Sequence, residues 1–267
     1  TVMYTLCDLH NLDTGWGLES ESWNFLEALR EIGGETWFRL GDRDLATHIQ
    51  RTHRMHANEK LSDITADFCS TMGTDVRVLP MTDDPVRTMV DTDTGPIPFQ
   101  EYFVRLGCSP IVRGFTFQGI QTAVFNPLVS ESLKSQDLKA VIICPSNPYV
   151  SIAPILSLAG ARKHLRDVAV PVIAVSPIVG GQAIKGPAAK MMRELGCNPS
   201  ALSVAKEYKD VIDGFVIDKT DASEARKIEE FGQSVLVTDT IMTSIKVKKR
   251  LAKNIMDFAT EIKVRDI

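Results

Sequence analysis

The sequence predicts an α/β fold, a Rossmann-like three-layer parallel sheet with a substrate-side elaboration in its first half. Three observations lead there. In the second half, short β-branched apolar runs end in proline and serine turns: residues 138–144 before Pro145-Ser146-Asn147-Pro148, and residues 168–175 before Ser176-Pro177. A stretch with helical spacing follows each run, which is the grammar of βαβ units and of a parallel sheet covered on both faces. The 267 residues are 44% hydrophobic and 24% charged, enough for one substantial core.

In chain order, residues 1–7 begin inside an apolar segment, so a first βα unit is expected to be missing upstream. Residues 21–31 and 47–56 read as helices, and Trp37-Phe38-Arg39-Leu40, residues 76–79 and residues 98–104 as strands. The strand within 168–175 should start at or just after Pro171, which cannot donate to a ladder. Residues 211–218, 222–231 and 234–239 read as strand, helix and strand. Residues 246–253 are basic, but Ile245, Leu251 and Ile255 lie at helical spacing and can face a core, so the charge reads as a solvated face. No repeat or long linker divides the chain. It reads as a single domain over 1–267, the elaboration over roughly 8–130 and nucleotide-binding βα units over roughly 136–267.

Net charge of −4 with dispersed lysines and arginines lacks the basic footprint of a nucleic-acid binder. No uninterrupted apolar stretch of about 18 residues predicts a membrane span. Five scattered cysteines without a C-x-x-C pair predict a reducing, cytoplasmic setting.

The densest polar cluster is Gly41-Asp42-Arg43-Asp44-Leu45-Ala46-Thr47-His48. Arginine offers a planar fork for phosphate or carboxylate oxygens, while carboxylates hold magnesium or accept a hydroxyl proton. A capped helix start explains the same residues. Leu79-Pro80-Met81-Thr82-Asp83-Asp84-Pro85 offers a hydroxyl and two carboxylates after a strand, or a capped turn. Pro145-Ser146-Asn147-Pro148 presents small hydrogen-bonding groups on stiff backbone at a strand end. The segment 176–187 adds glycines that allow close backbone approach to a phosphate or base, without the ending of a Walker loop. Residues 239–244 carry hydroxyls near a helix start, where capping alone would explain them.

Together, the segments 41–48, 79–85, 145–148 and Val175-Ser176-Pro177-Ile178 resemble the 2-phospho-L-lactate transferase family, which makes the precursor of the deazaflavin coenzyme F-420. The resemblance runs from residue 1 to about Met242-Thr243-Ser244. It implies transfer of a phospho-acid from a guanosine diphosphate-linked donor to the ribityl hydroxyl of a deazariboflavin, with magnesium, releasing GMP. On this reading Asp42 and Asp44 are the catalytic and metal-binding candidates, and Arg43, His48, Thr82 and Asp83 bind substrate. Ser146, Asn147, Pro148, Ser176 and Pro177 take the guanosine nucleotide, and a homodimer is expected. The family's glycine-rich first loop and an Asp-bearing segment have no counterpart here, so a truncated chain with impaired activity is expected. Whether the acid is phospholactate, phosphoenolpyruvate or phosphoglycerate is left open, because these differ by small groups that several side chains could read. The alternative from another class is a non-enzymatic nucleotide- or sugar-nucleotide-binding regulator similar to the gluconeogenesis-factor type.

Overall fold

The computed structural model describes residues 1–262 and 264. Four helices come first: α1 (Val2–Leu6), α2 (Asn24–Glu31), α3 (Asp42–His56) and α4 (Leu61–Met72). An antiparallel sheet follows, ordered β2-β1-β3 and built from β1 (Arg87–Thr92), β2 (Gly95–Pro98) and β3 (Val112–Gln118). After α5 (Pro127–Ser132) come β4 (Val141–Ile143), α6 (Ala153–Leu156), α7 (Ala161–Arg166) and β5 (Val172–Val175). The two-residue strands β6 (Ile178–Val179) and β7 (Gln182–Ala183) form a hairpin ahead of α8 (Ala188–Glu194) and α9 (Ala201–Tyr208). The chain then runs through β8 (Gly214–Asp218), α10 (Ala225–Glu229), β9 (Ser234–Thr238) and α11 (Ile245–Glu261).

The central sheet is ordered β4-β5-β8-β9, and its strands are all parallel. Because side chains alternate across a strand, each run supplies both faces. Val172, Ala174, Phe215 and Ile217 pack with α8, α9 and Ile228 of α10. Ile173, Val175 and Val216 pack against Leu251, Ile255, Phe258 and Ala259 of α11. Helices therefore cover both faces, as the sequence predicts. The strand after Pro171 begins at Val172, also as expected. At the start of β8, Gly214 admits α11: a Cβ there would lie 2.7 Å from Phe258 Cε1 and 2.9 Å from Ile262 Cδ1.

The antiparallel sheet docks on α8. Met191 joins Val90, Tyr102 and Val112 in a small buried cluster. Glu194 accepts the Val112 N–H at 3.0 Å and pairs with Lys190 at 2.6 Å.

Several first-half expectations are corrected. Residues 37–40 are irregular, with Trp37 and Phe38 in an edge contact at 5.7 Å rather than in a ladder. Residues 76–79 are irregular as well, with Val78 and Leu79 turned into a cavity wall. The apolar run at 98–104 is not a strand: β2 stops at Pro98, and a π-helical turn spans Glu101–Arg105. Phe99 and Phe103, four residues apart, stack at 5.6 Å, and that spacing belongs to a helix. The second helix of the first half starts at Asp42 rather than residue 47, so the polar cluster lies on α3 itself.

Candidate functional site

Helix α3 carries the first part of the site, and two carboxylates fix its start. Glu21, just ahead of α2, accepts the N–H groups of Arg43 and Asp44, both at 2.8 Å. Asp42 returns the favour to α2, accepting from the backbone N–H groups of Asn24 and Phe25 and from the side chains of Ser22 and Asn24. Each helix thus has its orphan N–H groups capped by a carboxylate from the other's start. The Ser22 hydroxyl and the other donors hold the Asp42 carboxyl down at about 2. Four hydrogen bonds occupy this carboxylate, so in this structure Asp42 caps the start of α2. Gly41 makes room for the arrangement, since a Cβ there would lie 2.2 Å from Glu21 Cδ.

Asp44 points the other way. It is buried, accepts the Tyr4 hydroxyl at 2.7 Å and lies 3.5 Å from His48 Nε2. His48 Nδ1 meets the Arg51 guanidinium at 2.7 Å. Arginine can only donate, so Nδ1 accepts and the ring proton sits on Nε2, toward Asp44. Burial, then the Arg51 charge, lowers the His48 pKa against the opposing pull of Asp44. Tyr4, Asp44, His48 and Arg51 line a cavity of about 510 Å³ whose apolar wall includes Phe38, Leu40, Phe68 and Val78. Trp16 and Phe38 also belong to a neighbouring cavity of about 550 Å³ with Trp37, Phe99 and Phe103. Aromatic faces of this kind suit a flat ring system.

Arg43 lines neither cavity. Exposed on α3, it donates to the Glu19 carbonyl at 2.5 Å. Glu19 closes a loop pinned by the His10–Leu18 bridge, which carries Gly15, Trp16 and Gly17. Arg43 thus holds the loop that presents Trp16. Thr82 and Asp83 are likewise engaged within the protein. Asp83 caps α4 through the Ser62 N–H at 2.7 Å and hydroxyl at 2.9 Å, and Thr82 accepts the Asp84 N–H at 3.1 Å.

The second part of the site lies at the carboxyl ends of the parallel strands, where open α/β sheets bind ligands. A cavity of about 410 Å³ is lined there by Pro145, Asn147, Ser176, Pro177, Thr240 and Thr243, with Lys185 and Lys248 as its two charged side chains. Of the residues expected to bind nucleotide, Asn147, Ser176 and Pro177 meet in this wall, whereas Ser146 and Pro148 are not part of it. Asn147 caps the turn at Pro148–Ile152 through the N–H groups of Tyr149 and Val150, and Ser176 folds onto Ile178, accepting its N–H and donating to its carbonyl. Gly180 and Gly181, at φ of +55° and +74°, form the hairpin turn between β6 and β7. The Gly180 N–H is taken by Asp221 at 3.0 Å, which braces this loop. Asp218 ties the ends of β8 and β9 together through Thr220 and Thr240. Burial raises its pKa, but the four hydrogen bonds from those threonines prevail and hold the carboxyl below its usual range.

Sequence reasoning missed Tyr4, Trp16, Arg51 and Phe103, which enter the site from segments with no motif. Lys185 and Lys248 were in plain view, one in the glycine loop and the other in the basic helix. Among the described residues, no group of three or more His, Cys, Asp or Glu side chains is placed to hold a metal ion. No helix among them is long and apolar enough to cross a membrane. All five cysteines are free thiols.

Residues 1–256 match the family model described as 2-phospho-L-lactate transferase CofD. The chain is 37% identical over 253 residues to the 2-phospho-L-lactate transferase of Methanosarcina mazei, covering 95% of this chain and 82% of that protein. It is 36% identical over 269 residues to the phosphoenolpyruvate transferase of Streptomyces griseus, covering 98% and 84%. Among solved structures, protein BH3568 from Bacillus halodurans superposes with a TM-score of 0.59 at 10% identity, covering 96% of this chain and 82% of that one. That last likeness speaks to the fold alone.

Proposed function

The chain belongs to the 2-phospho-L-lactate transferase family, and on that premise we propose that it transfers a phospho-acid from a guanosine diphosphate-linked donor to the terminal ribityl hydroxyl of a deazariboflavin, in coenzyme F-420 biosynthesis. The observation that carries the reading is the pairing of two unlike cavities. One is aromatic-walled, with Asp44 as the single carboxylate beside it, and the other is cationic, at the strand ends. The ring would lie among Trp16, Phe38 and Phe103, and its hydroxylated tail would reach Asp44. The nucleotide would lie against Asn147, Ser176 and Pro177, with Lys185 and Lys248 facing its phosphates.

In the reaction, the acceptor hydroxyl oxygen bonds to the phosphorus bearing the acid, and the bond from that phosphorus to the bridging oxygen breaks. The electron pair leaves on the GMP phosphate, and the hydroxyl proton passes to Asp44. Orientation and charge neutralisation supply most of such a rate enhancement. Magnesium coordinates one or two carboxylates together with substrate phosphates. Asp44 is the one carboxylate lining these cavities that could hold such an ion, which when bound would add charge neutralisation at the diphosphate.

The donated acid stays open between phospholactate and phosphoenolpyruvate, since relatives named for each are 37% and 36% identical to this chain. The relatives reported above are named as transferases, which favours an enzyme over a nucleotide-binding regulator. The test is GMP release on mixing the protein with deazariboflavin, magnesium and each guanosine-linked donor. Acceptor-dependent GMP release with one donor supports the reading, and no GMP with any of them refutes it.

A further inference from the structure

We propose that Lys185 bridges the two cavities and is the protein cation that neutralises the phosphoryl group in transit, with Lys248 left to the nucleotide that stays behind. This rests on the reading of the strand-end cavity as the nucleotide site. Lys185 lines that cavity, whose wall contains no carboxylate. Its ammonium nitrogen also lies 3.7 Å from the position a Cβ would occupy on Gly15. Gly15 directly precedes Trp16 and Gly17, which line the cavity of Asp44, and Trp16 continues into the aromatic one.

A single side chain therefore starts in the wall of one cavity and ends against the loop that walls the other. Lys248 is placed differently, in the first turn of α11, where it adds to the positive end of a 17-residue helix. Negative charge on the transferred phosphoryl oxygens, shared with the departing GMP oxygen as the old bond breaks, would develop beside Lys185. An ammonium there stabilises the transition state more than the ground state, so its loss should appear in kcat rather than in nucleotide affinity.

The test compares Lys185→Met, Lys185→Arg and the off-site control Lys246→Met, with GMP release for kcat and KM, calorimetry with GDP, and thermal unfolding. Lys185→Met should lower kcat by on the order of 10–100-fold while GDP affinity changes by less than about 3-fold. Lys185→Arg, which keeps the charge, should recover most of the loss, and Lys246→Met should behave as wild type. A normal kcat in Lys185→Met overturns the proposal, as does a defect confined to GDP affinity or one that tracks a fall in melting temperature. Wild-type protein that binds no GDP would instead remove the nucleotide reading underneath, and the proposal with it.

Discussion

Gly41→Ala tests the reciprocal capping that aims Asp44. The backbone at Gly41, φ −72° and ψ 162°, is open to any residue, so the substitution brings no torsional strain. Its whole effect is steric: the new methyl would sit 2.2 Å from Glu21 Cδ and 2.3 Å from Oε2. The Glu21 side chain can swing aside, but only by releasing the Arg43 and Asp44 N–H groups it caps. A charged cap at a helix N-terminus is worth about 0.5–2 kcal/mol, so a loss of about 1.5 kcal/mol is expected. For a domain of this size that is a fall of about 3–6 °C in melting temperature. The decisive assay is a double-mutant cycle by urea unfolding. In a Glu21→Ala background there is no carboxylate to displace, and Gly41→Ala should then cost less than about 0.5 kcal/mol. Equal costs in the two backgrounds, or a neutral Gly41→Ala, would refute the steric argument.

Three further outcomes follow from the same geometry. Asp44→Asn should reduce kcat on the order of 100-fold or more, whereas Arg43→Ala should mainly raise the KM for the deazaflavin, both read by GMP release; a larger kcat loss from Arg43→Ala would return Arg43 to the reacting centre. Because the folded-state pKa of His48 lies below its unfolded value, the unfolded chain takes up the proton first as pH falls through about 6.5. Stability should therefore decline from pH 7 toward 5, and His48→Gln should flatten that part of a pH series of urea midpoints; an unchanged slope removes the effect. Gly214→Ala, driving a methyl into Phe258 and Ile262, should destabilise by about 1–3 kcal/mol in the same assay, and a neutral result would show that α11 can shift.

The second half of the fold was legible because its strands are short, β-branched and buried on both sides, so apolar runs and proline turns mark their ends almost by themselves. Proline at 171 even located the start of β5. The first half obeys no such rule. Phe99 and Phe103 look like strand residues until their spacing is counted, and the apolar residues near Trp37 serve a cavity instead of a ladder. The site was legible in the same uneven way. A strand end is fixed by the fold, so Asn147, Ser176 and Pro177 could be placed together before any coordinates. The segment 41–48 is dense in charge, yet only Asp44 and His48 of its charged or titratable side chains face the cavity. Helix periodicity separates Asp42 from Asp44 by about 200° around the axis, which turns one to the neighbouring helix and the other inward. Tyr4, Trp16 and Phe103 come from segments that only tertiary packing brings near α3.

The most direct measurement is a crystal structure of the protein with GDP and deazariboflavin bound together. Two-cavity transfer predicts the guanine nucleotide against Asn147, Ser176 and Pro177, the deazaflavin ring among Trp16, Phe38 and Phe103, and the ribityl terminus between Asp44 and the Lys185 ammonium. Both ligands in one cavity, or a ribityl chain directed away from Asp44 and Lys185, would contradict it.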